Sequence, residues 1–222
     1  MRLPQKGSSV LNLLGYGRYV SRRLRRAKLS AEEAEVDTLG AAIQAADQAE
    51  TALEQELFSR YADRDGLDDE LDDVSKRHRQ AIEGRATNAN RERPYTDIYP
   101  DGIAWYTASP LAEQVSRYEL LVRRYDSFLP EGDPVRAEGP NLLSLLSAWK
   151  EAKAQLDQLE LDVAMARAKT AAAVNAWEEG LRRLYFRLAE RFGKTQAERF
   201  FPKPGRGGRA VSEPEGPDTP TA

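Results

Sequence analysis

Apolar residues recur every seven positions from Leu142 to Leu184 without a frame error. Leu142, Trp149, Leu156, Val163, Thr170, Trp177 and Leu184 form one set, and Leu145, Ala152, Leu159, Ala166 and Ala173 form the second. These are the a and d positions of a coiled-coil seam, and no Pro or Gly interrupts them before Gly180. A strict seven-residue repeat sustained this far implies a long, rod-like helix with left-handed supercoiling. The seam constrains architecture strongly and chemistry hardly at all.

A second stretch carries a matching pattern. Ser30-Ala31-Glu32-Glu33 reads as a capping box, with hydroxyl and carboxylate satisfying orphan amides at a helix start. Val36, Ile43, Glu50, Leu57, Arg64, Leu71, His78 and Arg85 then fall at a, and Leu39, Ala46, Leu53, Arg60, Leu67, Val74 and Ala81 at d. The frame survives the Asp63-Arg64-Asp65-Gly66 break, which predicts one helix over 30–88, about 55 residues or ~80 Å long and kinked near Gly66. The rival reading makes Asp65 a new N-cap, with Asp68, Asp69 and Glu70 stabilising the first turn of a separate helix in an up-down-up-down bundle. Glu50, Arg60 and Arg64 are charged seam positions. They either fix register and partner number or mark a part of the seam open to solvent.

Between the two rods the texture changes. Tyr95–Tyr99 and Ile103–Thr107 are β-branched and aromatic around Pro100-Asp101-Gly102, which predicts a β-hairpin with Gly in the left-handed conformation. Ser109-Pro110 opens a helix to Leu129, with Leu111, Val115, Tyr118, Val122 and Tyr125 on one face. Beyond Phe200-Phe201 the sequence is Pro, Gly, Ser, Thr and charge, the composition of a disordered tail. The expected fold is all-α: an elongated antiparallel hairpin or coiled-coil bundle of two long helices, with the β-hairpin and short helix inserted between them. The expected divisions are a basic arm over 1–29, a helical domain over 30–201 with an insert at 89–139, and a tail over 202–222.

Charge is distributed unevenly. Residues 1–28 carry eight basic side chains and no acid, 30–88 carry sixteen acids against six bases, and the remainder nearly balances. In the basic segment Val10, Leu13, Leu14, Val20 and Leu24 share an apolar face. Gly15 and Gly17 each cost about 1 kcal/mol relative to Ala in a helix, so a short or interrupted helix that needs a partner is expected there. Its charges follow the apolar run and no small-residue cleavage site appears, which argues against a secretory signal; an acid-free, Arg-rich transit peptide is the alternative. The chain has no cysteine, which excludes disulfides and thiolate metal sites and permits a reducing compartment. No stretch approaches ~18 consecutive apolar residues, and a cytoplasmic location is expected.

Sites for chemistry are scarce. His78 is the only histidine, and zinc sites of the usual kind need several His or Cys ligands. Setting Gly66 at position 6 of a calcium loop puts Tyr61 at position 1, where a carboxylate is required. Trp149 and Trp177 read as large knobs among small d residues. The basic residues Arg18, Arg22, Arg23, Arg25, Arg26 and Lys28 are the strongest interaction candidates, followed by Trp105 and Tyr106 in the second strand of the predicted hairpin. No catalytic residue, cofactor or metal is expected. The chain reads as a non-enzymatic helical scaffold or assembly subunit, homo-oligomeric or joined to a helical protein, with the basic arm docked to an acidic partner. The alternative is a protein that binds nucleic acid or an anionic membrane through residues 1–28.

Overall fold

The structure, a computed structural model, describes residues 3–5 and 7–203. The described residues are mostly helical and contain no strand. Helix α1 spans Val10–Arg26, α2 Ser30–Glu83, α3 Tyr95–Ile98, α4 Ala104–Thr107, α5 Leu111–Phe128, α6 Pro134–Ala137, α7 Gly139–Phe192 and α8 Lys194–Ala197. Single 3-10 turns follow at Ala89–Arg91 and Glu198–Phe200. The chain divides into two compact units, one drawn from 1–51 and 165–222, the other from 52–164.

Unit 1 joins α1, the first part of α2, the last part of α7 and α8. Its core is Leu13, Val20 and Leu24 of α1, Val36 and Ile43 of α2, and Trp177, Leu181, Leu184 and Leu188 of α7. Here α2 and α7 run antiparallel, as Glu32 pairs with Arg191 at 3.4 Å, Glu35 with Arg187, and Glu50 with Arg167 at 3.8 Å. In this unit the a positions Val36 and Ile43 of α2 and Trp177 and Leu184 of α7 are buried, Trp177 fully. The side chain of Leu39 lies where a Cβ on Gly180 would go, so that glycine permits the close approach of the two helices.

The basic segment is not a separate arm. It is a helix of 17 residues, uninterrupted at Gly15 and Gly17, and it belongs to unit 1. Burial of its Leu13, Val20 and Leu24 face outweighs the ~1 kcal/mol per glycine that the sequence charges against it. Gly17 lies against the Trp177 indole, where an added Cβ would sit 3.4 Å from Nε1. The ordering partner the segment needs is its own chain.

Unit 2 holds the middle of the chain. Leu71, Val74 and Ile82 of α2, Tyr118, Leu121, Val122 and Tyr125 of α5, and Leu142, Leu146 and Trp149 of α7 form its core with Ile98, Tyr99 and Tyr106. Helix α2 passes through Gly66 without a break, so the separate-helix reading falls, and it ends at Glu83 rather than at 88. The charged seam positions are half-buried and paired. Arg60 reaches Gln155 and Glu56, and Arg64 bonds Asp65 beside the Tyr61 ring.

The predicted β-hairpin is corrected by the structure. Its turn is present: Gly102 has φ 76° and donates to the Tyr99 carbonyl at 3.1 Å. Its flanks are single helical turns closed by Tyr99 N–H to Tyr95 and Ala108 N–H to Ala104. Strand preference in aromatic segments reflects how well side chains pack rather than the backbone itself. Four-residue helical turns aim Ile98, Tyr99 and Tyr106 together into the unit 2 core, which two alternating strands would split between faces. The tail expected over 202–222 lies, from residue 204 onward, outside the described residues.

Candidate functional site

The outer face of α1 is the most distinctive surface the fold builds. Ser9 caps the helix, its hydroxyl accepting from the Asn12 amide. With Leu13, Gly17, Val20, Ser21 and Leu24 turned inward, the 3.6-residue period sends Arg18, Arg22 and Arg26 outward in an i, i+4, i+8 row. All three are exposed. At 1.5 Å per residue the row is about 12 Å long. Tyr19, 43% exposed, and Leu11, 76% exposed, share the same face. No ion pair engages Arg18, Arg22, Arg26 or Lys28 among the described residues.

The acids nearest in sequence are already committed. Glu33 leaves its expected capping role and accepts from Arg25 Nε at 2.5 Å, while Glu32 and Glu35 pair with Arg191 and Arg187 of α7. Arg23 does a different job: its Nε donates to the carbonyl of Arg199 at 3.1 Å, tying α1 to the 3-10 turn at the far end of the sequence. Of the six basic candidates, four therefore face outward uncommitted, Arg25 is partly neutralised, and Arg23 is structural. Sorting by folded unit sharpens the charge map. Among the described residues unit 1 carries 15 basic against 10 acidic residues, and unit 2 carries 14 against 23.

Trp105 and Tyr106 lie in the helical turn α4 rather than on a strand. Tyr106 is buried, its hydroxyl donating to the Ile98 carbonyl at 2.8 Å and receiving Arg124. Trp105 is half-buried beneath the Arg117 guanidinium, which sits 4.3 Å from the ring centroid. They belong to a buried phenol network that sequence reading missed. Tyr99 and Tyr125 share a hydrogen bond of 2.9 Å, and Tyr118 donates to Asp72 at 2.7 Å. Burial is the first cause raising each of these phenols above the ordinary tyrosine range, so they stay neutral and act as structural donors. The only early sign was the density of tyrosines between 95 and 125.

His78 packs edge-on against Tyr125 at 5.5 Å, and burial lowers its pKa. Its Nδ1 has no hydrogen-bond partner among the described residues. The Asp-rich stretch around Gly66 is continuous helix, not a cation-binding loop. Among the described residues no three His, Asp or Glu side chains converge to hold a metal ion. A surface groove of about 670 Å³ in unit 2 is lined by Glu70, Asp73, Lys76 and Arg77 over Val74 and Leu145. Its charges are of both signs and lie on helix surfaces, without a nucleophile and base in contact.

No family model, curated protein or solved structure matches the chain. No helix among the described residues is long and apolar enough to cross a bilayer.

Proposed function

We propose that the protein is a non-enzymatic helical scaffold that docks onto an acidic macromolecule through the outer face of α1. In this reading α2 and α7 pair as an antiparallel coiled coil, and α1 is mounted on it as a rigid basic surface. The observation that carries it is the exposed Arg18–Arg22–Arg26 row, without an ion-pair partner among the described residues while Glu32, Glu33 and Glu35 serve other arginines. A row of fixed positive charge on a unit of net positive charge attracts a polyanion over roughly a Debye length, ~8–10 Å at ordinary salt. A cytoplasmic location suits a cysteine-free chain. Retention on immobilised heparin, a generic polyanion, tests the docking face. The triple variant Arg18→Gln/Arg22→Gln/Arg26→Gln should elute at clearly lower salt than the wild type, and unchanged elution sinks the proposal.

A second reading, self-assembly, rests on a different observation. Phe58 and Leu161 in unit 2 and Phe186 in unit 1 are large apolar side chains exposed on the long helices, Phe58 by 74%. Contacts between copies would cover them. Sedimentation across a concentration series should show association, and a monomer at every concentration removes this reading.

A further inference from the structure

We infer that the acidic partner of the α1 face is single-stranded nucleic acid, held on a composite site that the fold builds from both ends of the chain; this rests on the docking role proposed above. The first element is the outward row of Arg18, Arg22 and Arg26. The second is the segment after α8. Phe201 is buried edge-on to Tyr185 at 5.7 Å, and the Arg199 carbonyl accepts from Arg23, so Arg199 and Lys203 are delivered to the same unit as α1. Both are exposed and carry no ion pair among the described residues. Basic charge separated by some 170 positions in the sequence thus gathers on one folded unit.

Three features select the partner. Most of the cations are arginine, whose planar five-donor fork matches phosphate oxygens and stacks on bases, where a purely electrostatic attachment has no reason to prefer it over lysine. Tyr19 lies on the same face one turn from Arg22, and an exposed aromatic ring among cations is the stacking platform that unpaired bases use. An anionic membrane wants an apolar stripe to insert. The stripe of α1, Leu13, Val20 and Leu24, is buried in the protein, and the one strongly exposed aliphatic on the face is Leu11 at its far end. A duplex would use the arginine row and leave Tyr19 idle, because its bases are already stacked.

The test is fluorescence anisotropy of the full chain with a labelled oligouridylate of about 20 nucleotides, set against a duplex of the same length and vesicles containing about 30% phosphatidylserine. The single strand should bind most tightly. In a salt series the slope of log K against log salt should shrink by about 2 in the Arg18→Gln/Arg22→Gln/Arg26→Gln variant, from ~0.7 per lost phosphate contact. Tyr19→Ala should weaken binding about tenfold and Tyr19→Phe should restore it, as expected when a ring stacks on a base. Arg199→Gln should weaken it as well. These residues are exposed, so thermal melts should be unchanged and a loss of binding reports the surface. Preference for the duplex or the vesicles, or a Tyr19→Ala variant that binds like the wild type, overturns the inference. If heparin elution still depends on the arginine row, the docking role survives that outcome; if it does not, both fall.

Discussion

The Leu29 amide donates to the Leu24 carbonyl at 3.1 Å, and this bond, spanning Lys28, ends α1. With the Lys28 amide on the Arg25 carbonyl at 2.9 Å it makes a Schellman motif, sealed by the buried side chains of Leu24 and Leu29. Lys28 occupies the left-handed position, at φ 61°, where glycine is the usual residue. Lys28→Gly should stabilise the protein by about 1 kcal/mol through relief of the left-handed strain, read as a rise in the midpoint of chemical denaturation. A fall would mean that the Lys28 side chain makes a contact worth more than the strain.

Two helical glycines separate propensity from packing. Nothing lies within 4 Å of a Cβ placed on Gly15, whereas one on Gly180 meets Leu39. Gly15→Ala should therefore gain about 0.5–1 kcal/mol, and Gly180→Val should lose about 1–3 kcal/mol by forcing the α2–α7 seam apart. Equal effects from the two substitutions would mean that the seam does not depend on close approach at Gly180.

Trp149 and Trp177 are the largest buried side chains, one in the core of each unit. Trp149→Ala or Trp177→Ala should each cost about 3–5 kcal/mol. Denaturation curves decide, and a loss below about 0.5 kcal/mol would put the ring in solvent.

Legibility followed period and length. The a-position residues of α7 were readable because a seven-residue spacing admits few packings: Leu142, Trp149, Leu156, Val163, Trp177 and Leu184 are buried and Thr170 is half-buried. The continuity of α2 through Gly66 was readable for the same reason. Leu145, Ala152 and Ala173 are only half-buried. Within each unit a third helix widens the buried stripe to Leu146 and Tyr185, which a two-helix frame does not include. The segments around Tyr99 and Tyr106 misled because four residues are too few to show a period, and composition then decided in favour of strands. The charged face of α1 was visible as composition. Its committed and uncommitted arginines were not, since Arg25–Glu33, Arg187–Glu35 and Arg23–Arg199 are tertiary choices.

Arg85 and Asp133 form a two-pronged ion pair at 2.6 and 2.8 Å, and Asp133 also accepts from the Val135 amide at the start of α6. Burial pushes this carboxyl up, but Arg85 and the Val135 amide together hold it below the ordinary 3.8. Such a group stabilises the fold fully above that ordinary value and less as pH falls through the folded pKa. Asp133→Ala strands the Arg85 charge and uncaps α6. Its cost should be about 1–3 kcal/mol at neutral pH, measured by denaturation, and it should shrink as pH falls below the ordinary 3.8. A cost independent of pH would assign the effect to packing alone.

His78 should set the pH dependence at milder acidity. Burial is the first cause of its lowered pKa, and Arg77 adds to it, while Glu138 pulls the other way. The unfolded chain therefore takes up a proton near the ordinary value of 6.5, before the folded chain does. By linkage, stability is level above that value, declines as pH falls from it to the folded pKa, and is level again below until the carboxylates titrate. Asp133 contributes with the same sign but only below 3.8, and Asp68, raised first by burial, contributes with the opposite sign in the acid range. His78→Phe keeps a ring against Tyr125 and removes the titration, so its stability should be flat between about pH 7 and pH 5 where the wild type slopes. Denaturation at several pH values compares them. A wild type as flat as the variant would mean that the His78 imidazole takes up its proton as readily in the folded chain as in the unfolded one.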